Sequence, residues 1–88
     1  MREKWLPVVG RIVWRSERHA ADVPCSVRLG GALVQVEVVE SWVEGPAVAG
    51  DPLVRVFAVL TADGRRLRLI SDSLGAERIE APLDELSR

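Results

Sequence analysis

The sequence predicts an all-β domain, a small and mostly antiparallel open barrel of five to six strands, SH3-like or OB-like. Three observations predict it. Gly30-Gly31 and Asp63-Gly64 are two-residue pairs that tolerate positive φ, as tight hairpin turns require. Both pairs are flanked by runs dense in valine and leucine, the residues of half-buried strands. With 88 residues there is room for one domain, 1–88, in which 1–7 reads as a loose N-terminal segment.

Val8 to Trp14 reads as the first strand, with Ile12 and Trp14 inward and Arg11, Val13 and Arg15 on the other side. Ser16 to Asp22 keeps no period and suits a loop or one helical turn. In the first hairpin Val27 faces Val34, Cys25 faces Val36 and Val23 faces Val38, an apolar side throughout. Its reverse sets Arg28 against Leu33, Ser26 against Gln35 and Pro24 against Glu37, which is expected in water. Pro24 lacks an amide hydrogen and so belongs at a strand start or edge. Ser41 to Pro52, with two glycines and two prolines, is a connector by composition.

With Asp63-Gly64 as a two-residue loop, Leu60 pairs with Leu67, Ala58 with Leu69 and Val56 with Ser71 on one side of the second hairpin. The other side pairs Thr61 with Arg66, Val59 with Arg68, Phe57 with Ile70 and Arg55 with Asp72. Aromatic–β-branched and opposite-charge pairs are favourable across strands, which supports this registry. Glu77 to Ala81 adds a short edge strand, and Pro82 to Leu86 suits one closing helical turn, with proline and acids at its start.

A chain of this size buries only ~60% of its unfolded surface, so the expected core is thin. The single cysteine excludes an internal disulfide. Met1-Arg2-Glu3-Lys4 leads into no long apolar run, so a reducing cytoplasm is expected. No stretch is long and apolar enough to predict a membrane span. Charge is near balance but laid out in blocks: +3 over 1–31, −4 over 32–52, +3 over 53–71 and −3 over 72–88. Strands of opposite charge neutralise one another in a compact sheet; the same layout also suits steering of a partner or stacking of copies.

The residues predict no catalysis, cofactor or metal. His19 and Cys25 stand six apart, but Cys25 falls on the apolar hairpin side, where free cysteine acts as a small hydrophobe. A lone histidine with scattered carboxylates is not a zinc site. Gly30-Gly31 has no following helix to offer an anion, and Glu37, Glu40 and Glu44 read as solvated. The feature above background is the expected outer side of the second hairpin. There Phe57, Val59 and Ile70 form an apolar strip bordered by Arg55, Arg66 and Arg68. Trp5 or the C-terminal Leu83 and Leu86 would cover Phe57 if the chain itself occupies that strip, and Trp42 reads as a plug at the barrel's open end.

Gly30-Gly31, Val36 to Trp42, Val54-Arg55-Val56-Phe57 and Asp63-Gly64-Arg65-Arg66-Leu67-Arg68-Leu69 to Asp72 carry a resemblance. The run resembles a group of short bacterial β-domains of unassigned function, some of them beside or fused to Y-family DNA polymerase-like proteins. It spans Val23 to Leu83, about two-thirds of the chain, on motifs that are mostly hairpin grammar. Val43-Glu44-Gly45-Pro46 stands where that group has an aromatic-rich linker. The resemblance implies the fold and carries over no catalytic residue.

The expected function is a non-enzymatic interaction module, contacting a protein partner or a second copy through Arg55, Phe57, Val59, Arg66, Arg68 and Ile70. A single-stranded nucleic-acid binder using the same face with Arg11 and Arg15 is the alternative, since arginine beside an aromatic holds phosphates and stacks bases. A homo-oligomeric structural piece is the other.

Overall fold

The computed structural model describes residues 3–16, 22–45 and 48–83. They form seven strands: β1 (Trp5–Val8), β2 (Arg11–Arg15), β3 (Val23–Leu29), β4 (Ala32–Glu44), β5 (Val54–Thr61), β6 (Arg66–Asp72) and β7 (Glu77–Pro82). Every neighbouring pair is antiparallel. Their order is β1-β7-β6-β5-β4-β3-β2. The fold is all-β and antiparallel, as expected, but it is a seven-stranded open half-barrel. The additional strand arises near the N-terminus. The expected strand over Val8 to Trp14 breaks at Val9-Gly10, and Trp5–Pro7, expected as loose chain, pair with β7.

That break dictates the curvature. β1 and β2 are the two outermost strands, yet only Val9 and Gly10 separate them in sequence. Two linking residues span at most about 11 Å, whereas seven flat strands would hold their edges roughly 29 Å apart. The sheet must therefore curl until its edges nearly meet. Gly10 sits in the seam: a Cβ there would lie 2.6 Å from the Arg28 carbonyl oxygen and 2.7 Å from Leu29 Cδ2.

β4 is the corner strand. Ala32–Gln35 pair with β3, and from Val36 onward the strand pairs with β5. Pairing of β3 with β4 stops at Ser26–Gln35, so the expected Cys25–Val36 and Val23–Val38 pairs do not form. Pro24 sits near the start of β3, opposite Trp14 and beside the bulge that Cys25 makes in that strand. β4 also runs on to Glu44, so Ser41–Glu44 is strand and not connector. Glycine and proline appear only beyond it, at Gly45-Pro46.

The two hairpins differ in their loops. Gly30 and Gly31 both take positive φ, 54° and 86°, and the expected Val27–Val34 register forms. In the second, the Gly64 amide donates to the Thr61 carbonyl and the Thr61 amide to the Arg65 carbonyl. Ala62, Asp63 and Gly64 therefore make a three-residue loop that ends in a positive-φ glycine. One additional loop residue slips the register by one. The observed pairs are Leu60–Arg66, Val59–Leu67, Ala58–Arg68, Phe57–Leu69, Val56–Ile70 and Arg55–Ser71.

That slip turns β5 over relative to β6, whose two sides stay as expected. Phe57, Val59, Leu67 and Leu69 point inward and join Ile12, Val27, Ile79 and Ala81 as the core. β7 lies between β6 and β1 and contributes to this core, rather than forming the expected edge. Of the expected closing helical turn, Pro82 ends β7 and the Leu83 amide donates to the Lys4 carbonyl; residues 84–88 lie outside the described residues. So do 17–21, which hold most of the segment expected as a loop. Among the described residues no helix is long and apolar enough to cross a membrane.

Candidate functional site

The six residues expected to form one contact face divide between the two sides of the sheet. Phe57 and Val59 are inward and only 3% and 2% exposed, so neither is available to a partner. Arg55 is inward too, at the rim: its guanidinium lies 4.9 Å from the Phe57 ring centroid and donates to the Asp22 carbonyl at 3.2 Å. Phe57 is covered by its own chain, but by Trp14 and Arg55 rather than by Trp5 or Leu83. Arg66, Arg68 and Ile70 are on the outer side, but Ile70 pairs with Val56 and is buried, so it offers no contact surface.

The outer side gathers residues that the expected register kept apart. Alternation along β5 and β6 brings Ala58 and Leu60 beside Arg66 and Arg68. A bulge between Val38 and Glu40 re-phases β4 so that Glu40 pairs with Ala58 and Trp42 with Val56. Trp42 thus stands on the outer face, not in the barrel mouth, and its indole Nε1 donates to Glu44 Oε1 at 3.1 Å. Trp5 joins the same face from β1, opposite Pro82.

Together they make a shallow groove of about 380 Å³, walled by Trp5 and Trp42 and floored by Ala58 and Leu60. Val39, the bulge residue, and Leu60 leave apolar surface in the open, at 63% and 39% exposure. The Arg68 guanidinium carbon lies 4.1 Å from the Trp5 ring centroid, a stacked cation–π geometry. Arg66 lies farther from that ring, at 6.0 Å, and forks onto Glu3 through bonds of 2.9 and 2.8 Å. Both ends of that ion pair are about half in solvent, so it contributes at most about 1 kcal/mol and chiefly fixes the guanidinium plane.

The groove is close to electrically balanced, with Arg66 and Arg68 on β6 and Glu3, Glu40 and Glu80 nearby. Sequence reasoning named Arg66 and Arg68 but missed Trp5, Val39, Ala58 and Leu60. The signal was present: with Arg66 and Arg68 on one side, the other sets Phe57 against Leu69 and Val59 against Leu67, an apolar block bounded by Arg55 and Ser71, which fits a buried face better than the mixed sides of the expected register.

No polar constellation competes with this groove among the described residues. The Cys25 thiol donates to the Val13 carbonyl at 3.4 Å, and His19 lies outside the described residues. No group of three or more His, Cys, Asp or Glu is placed to hold a metal ion among the described residues. A second cleft opens where β3 and β4 part, between Val23–Cys25 and Val36–Val38. The chain matches no protein-family model, no curated protein and no solved structure.

Proposed function

We propose that this chain is a non-enzymatic interaction module that seats a protein partner on the outer face of β4, β5 and β6, between Trp5 and Trp42. The observation that carries the reading is the stacked Arg68–Trp5 pair beside an open apolar floor of Ala58, Leu60 and Val39. Tryptophan and arginine dominate the energetic centres of protein interfaces, because each covers much area with few rotatable bonds or with a planar fork. Here both are already held in place, Trp5 by β1 pairing and Arg68 by the Trp5 ring, so little ordering cost remains on docking.

The test compares quantitative capture of binding proteins by the native chain, by Leu60→Glu and by Leu74→Glu. Leu74 is exposed on the β6–β7 turn, away from the groove. A partner lost with Leu60→Glu and retained with Leu74→Glu supports the reading; equal capture by all three rejects it.

A second reading, single-stranded nucleic acid, is favoured by the same stacked arginine and disfavoured by the acids around it. Anisotropy of a labelled mixed-sequence oligonucleotide at two salt concentrations, with Arg66→Ala/Arg68→Ala beside the native chain, tests it. Phosphate contacts require binding that falls steeply with salt.

A further inference from the structure

We propose that the occupant of this face is a second copy of the chain, related to the first by a two-fold axis running along β5. The inference rests on the docking face proposed above and adds the identity of what docks there.

Charge is ordered across three adjacent strands. Glu40 pairs with Ala58, and Ala58 with Arg68, so the three form one row across β4, β5 and β6. Glu37 pairs with Leu60, and Leu60 with Arg66, which repeats the row one pleat along. Both rows read acid, apolar, base. The outer face therefore carries a column of carboxylates on β4, an apolar column on β5 and a column of guanidiniums on β6.

Such a face is complementary to itself in one orientation. Rotation by half a turn about β5 keeps the apolar column over its own counterpart and swaps the two flanks. Arg68 of one copy then lies over Glu40 of the other, twice, and Ala58 and Leu60 meet their equivalents along the seam. A two-fold axis across the strands would instead place arginine over arginine and glutamate over glutamate. The charges thus select one docking mode and reject the other, as specificity requires. They also rank a copy above nucleic acid, which would meet a full column of carboxylates.

Arg68 is equipped for this role. Its contacts among the described residues are with the Trp5 ring, and no carboxylate of its own chain forms an ion pair with it there. Glu40 likewise has no ion pair among the described residues. Glu80 stands opposite Arg68 on β7 but pairs with Arg78 at 3.8 Å, so Arg68 and Glu40 can each meet a charge of the second copy, and the small Ala58 between them lets a second sheet approach.

The extent of the face sets the strength. With the axis along β5 the strands that overlap their counterparts are β4, β5 and β6, which offer on the order of 330 Å² per copy, taking ~4.8 Å between strands and ~3.3 Å per residue over about seven residues. A standard specific interface buries about 800 Å² per partner. The dimer is accordingly weak, forming over the micromolar range and above, and salt weakens it because its charges stay near the rim.

Sedimentation velocity of the full chain tests this across a hundredfold concentration range at low and high salt, with Arg68→Glu and Glu40→Arg alone, combined in one chain, and mixed as two chains. The expected result is a sedimentation coefficient that rises with concentration for the native chain and stays at the monomer value for either single variant. Association returns when both changes share one chain, and again when the two single variants are mixed, since every Glu then faces an Arg. Circular dichroism checks that each variant keeps its fold. A native chain that stays monomeric throughout overturns the proposal, as does a dimer indifferent to the charge exchanges. A monomer whose Leu60→Glu variant still loses a different captured protein refutes the second copy and leaves the docking face standing; a monomer in which Leu60→Glu changes no capture refutes both.

Discussion

Trp14 and Phe57 meet edge to face across the interior, their ring centroids 5.6 Å apart and their planes at 71°. The two residues sit on β2 and β5, three strands apart in the sheet order. They touch only because the sheet folds over itself, so this pair senses the curl as a whole. Phe57→Ala removes a ring from the centre of the core and is expected to cost about 3–5 kcal/mol, a large share of the stability of so small a domain. Urea unfolding followed by circular dichroism reads it out. A loss below about 1 kcal/mol would contradict the placement of Phe57.

The inversion of β5 has its own test. Leu60→Glu places a charge on the outer side and is expected to leave the fold intact, with a change within about 0.5 kcal/mol. Val59→Glu, one residue earlier, places the same charge against Leu67 and is expected to abolish cooperative unfolding. Thermal melts of the two variants side by side decide between the observed register and its one-residue neighbour.

Gly10→Ala is expected to destabilise by about 1–3 kcal/mol, through crowding and not through backbone strain. The added methyl would meet the Arg28 carbonyl oxygen, which belongs to a strand and has little room to shift. Gly64→Ala is expected to lose about 1–2 kcal/mol for the opposite reason: open space surrounds its Cβ position, but its φ of +86° disfavours any side chain. Equal responses to a D-alanine at both sites in synthetic protein would contradict this division, because only the Gly64 loss is relieved by reversing the chirality.

Asp63 gives a pH signature. The Thr61 hydroxyl donates to its carboxylate and Arg65 pairs with it at 3.0 Å, which together hold its pKa below the ordinary 3.8. A carboxylate favoured in the folded state contributes stability above its unfolded pKa, and that contribution disappears as pH falls through the lowered folded value. NMR titration of the Asp63 carboxyl is expected to give a midpoint below 3.8, moving upward in Thr61→Val. A native midpoint at or above 3.8 would show that the hydroxyl is not donating.

What the sequence disclosed and what it hid follow from the loops. At Gly30-Gly31 both loop residues need positive φ, so a two-residue turn was legible and the Val27–Val34 register with it. Asp63-Gly64 carries the same chemistry, but the Thr61 hydroxyl also accepts the Arg65 amide at 2.9 Å and recruits Ala62 into the loop. One extra residue inverted β5 against β6, which sent Phe57 and Val59 inside and brought Leu60 out beside Arg66 and Arg68. The arginines of the site were legible as residues. Their neighbours were not, because Trp5 reaches them only through a pairing between the two ends of the described chain.

That same pairing sets an order in time. Trp5 faces Pro82, so β1 has no strand to join until nearly all the rest of the sheet has been made and assembled. Contacts that close so long a loop form late, after the local hairpins around Gly30-Gly31 and Asp63-Gly64. Of the seven strands β1 comes first in sequence and its partner β7 last, so the Trp5 wall of the groove stands only once β7 is in place. The groove is therefore a product of the completed sheet: a chain that has not joined β1 to β7 has no Trp5 wall.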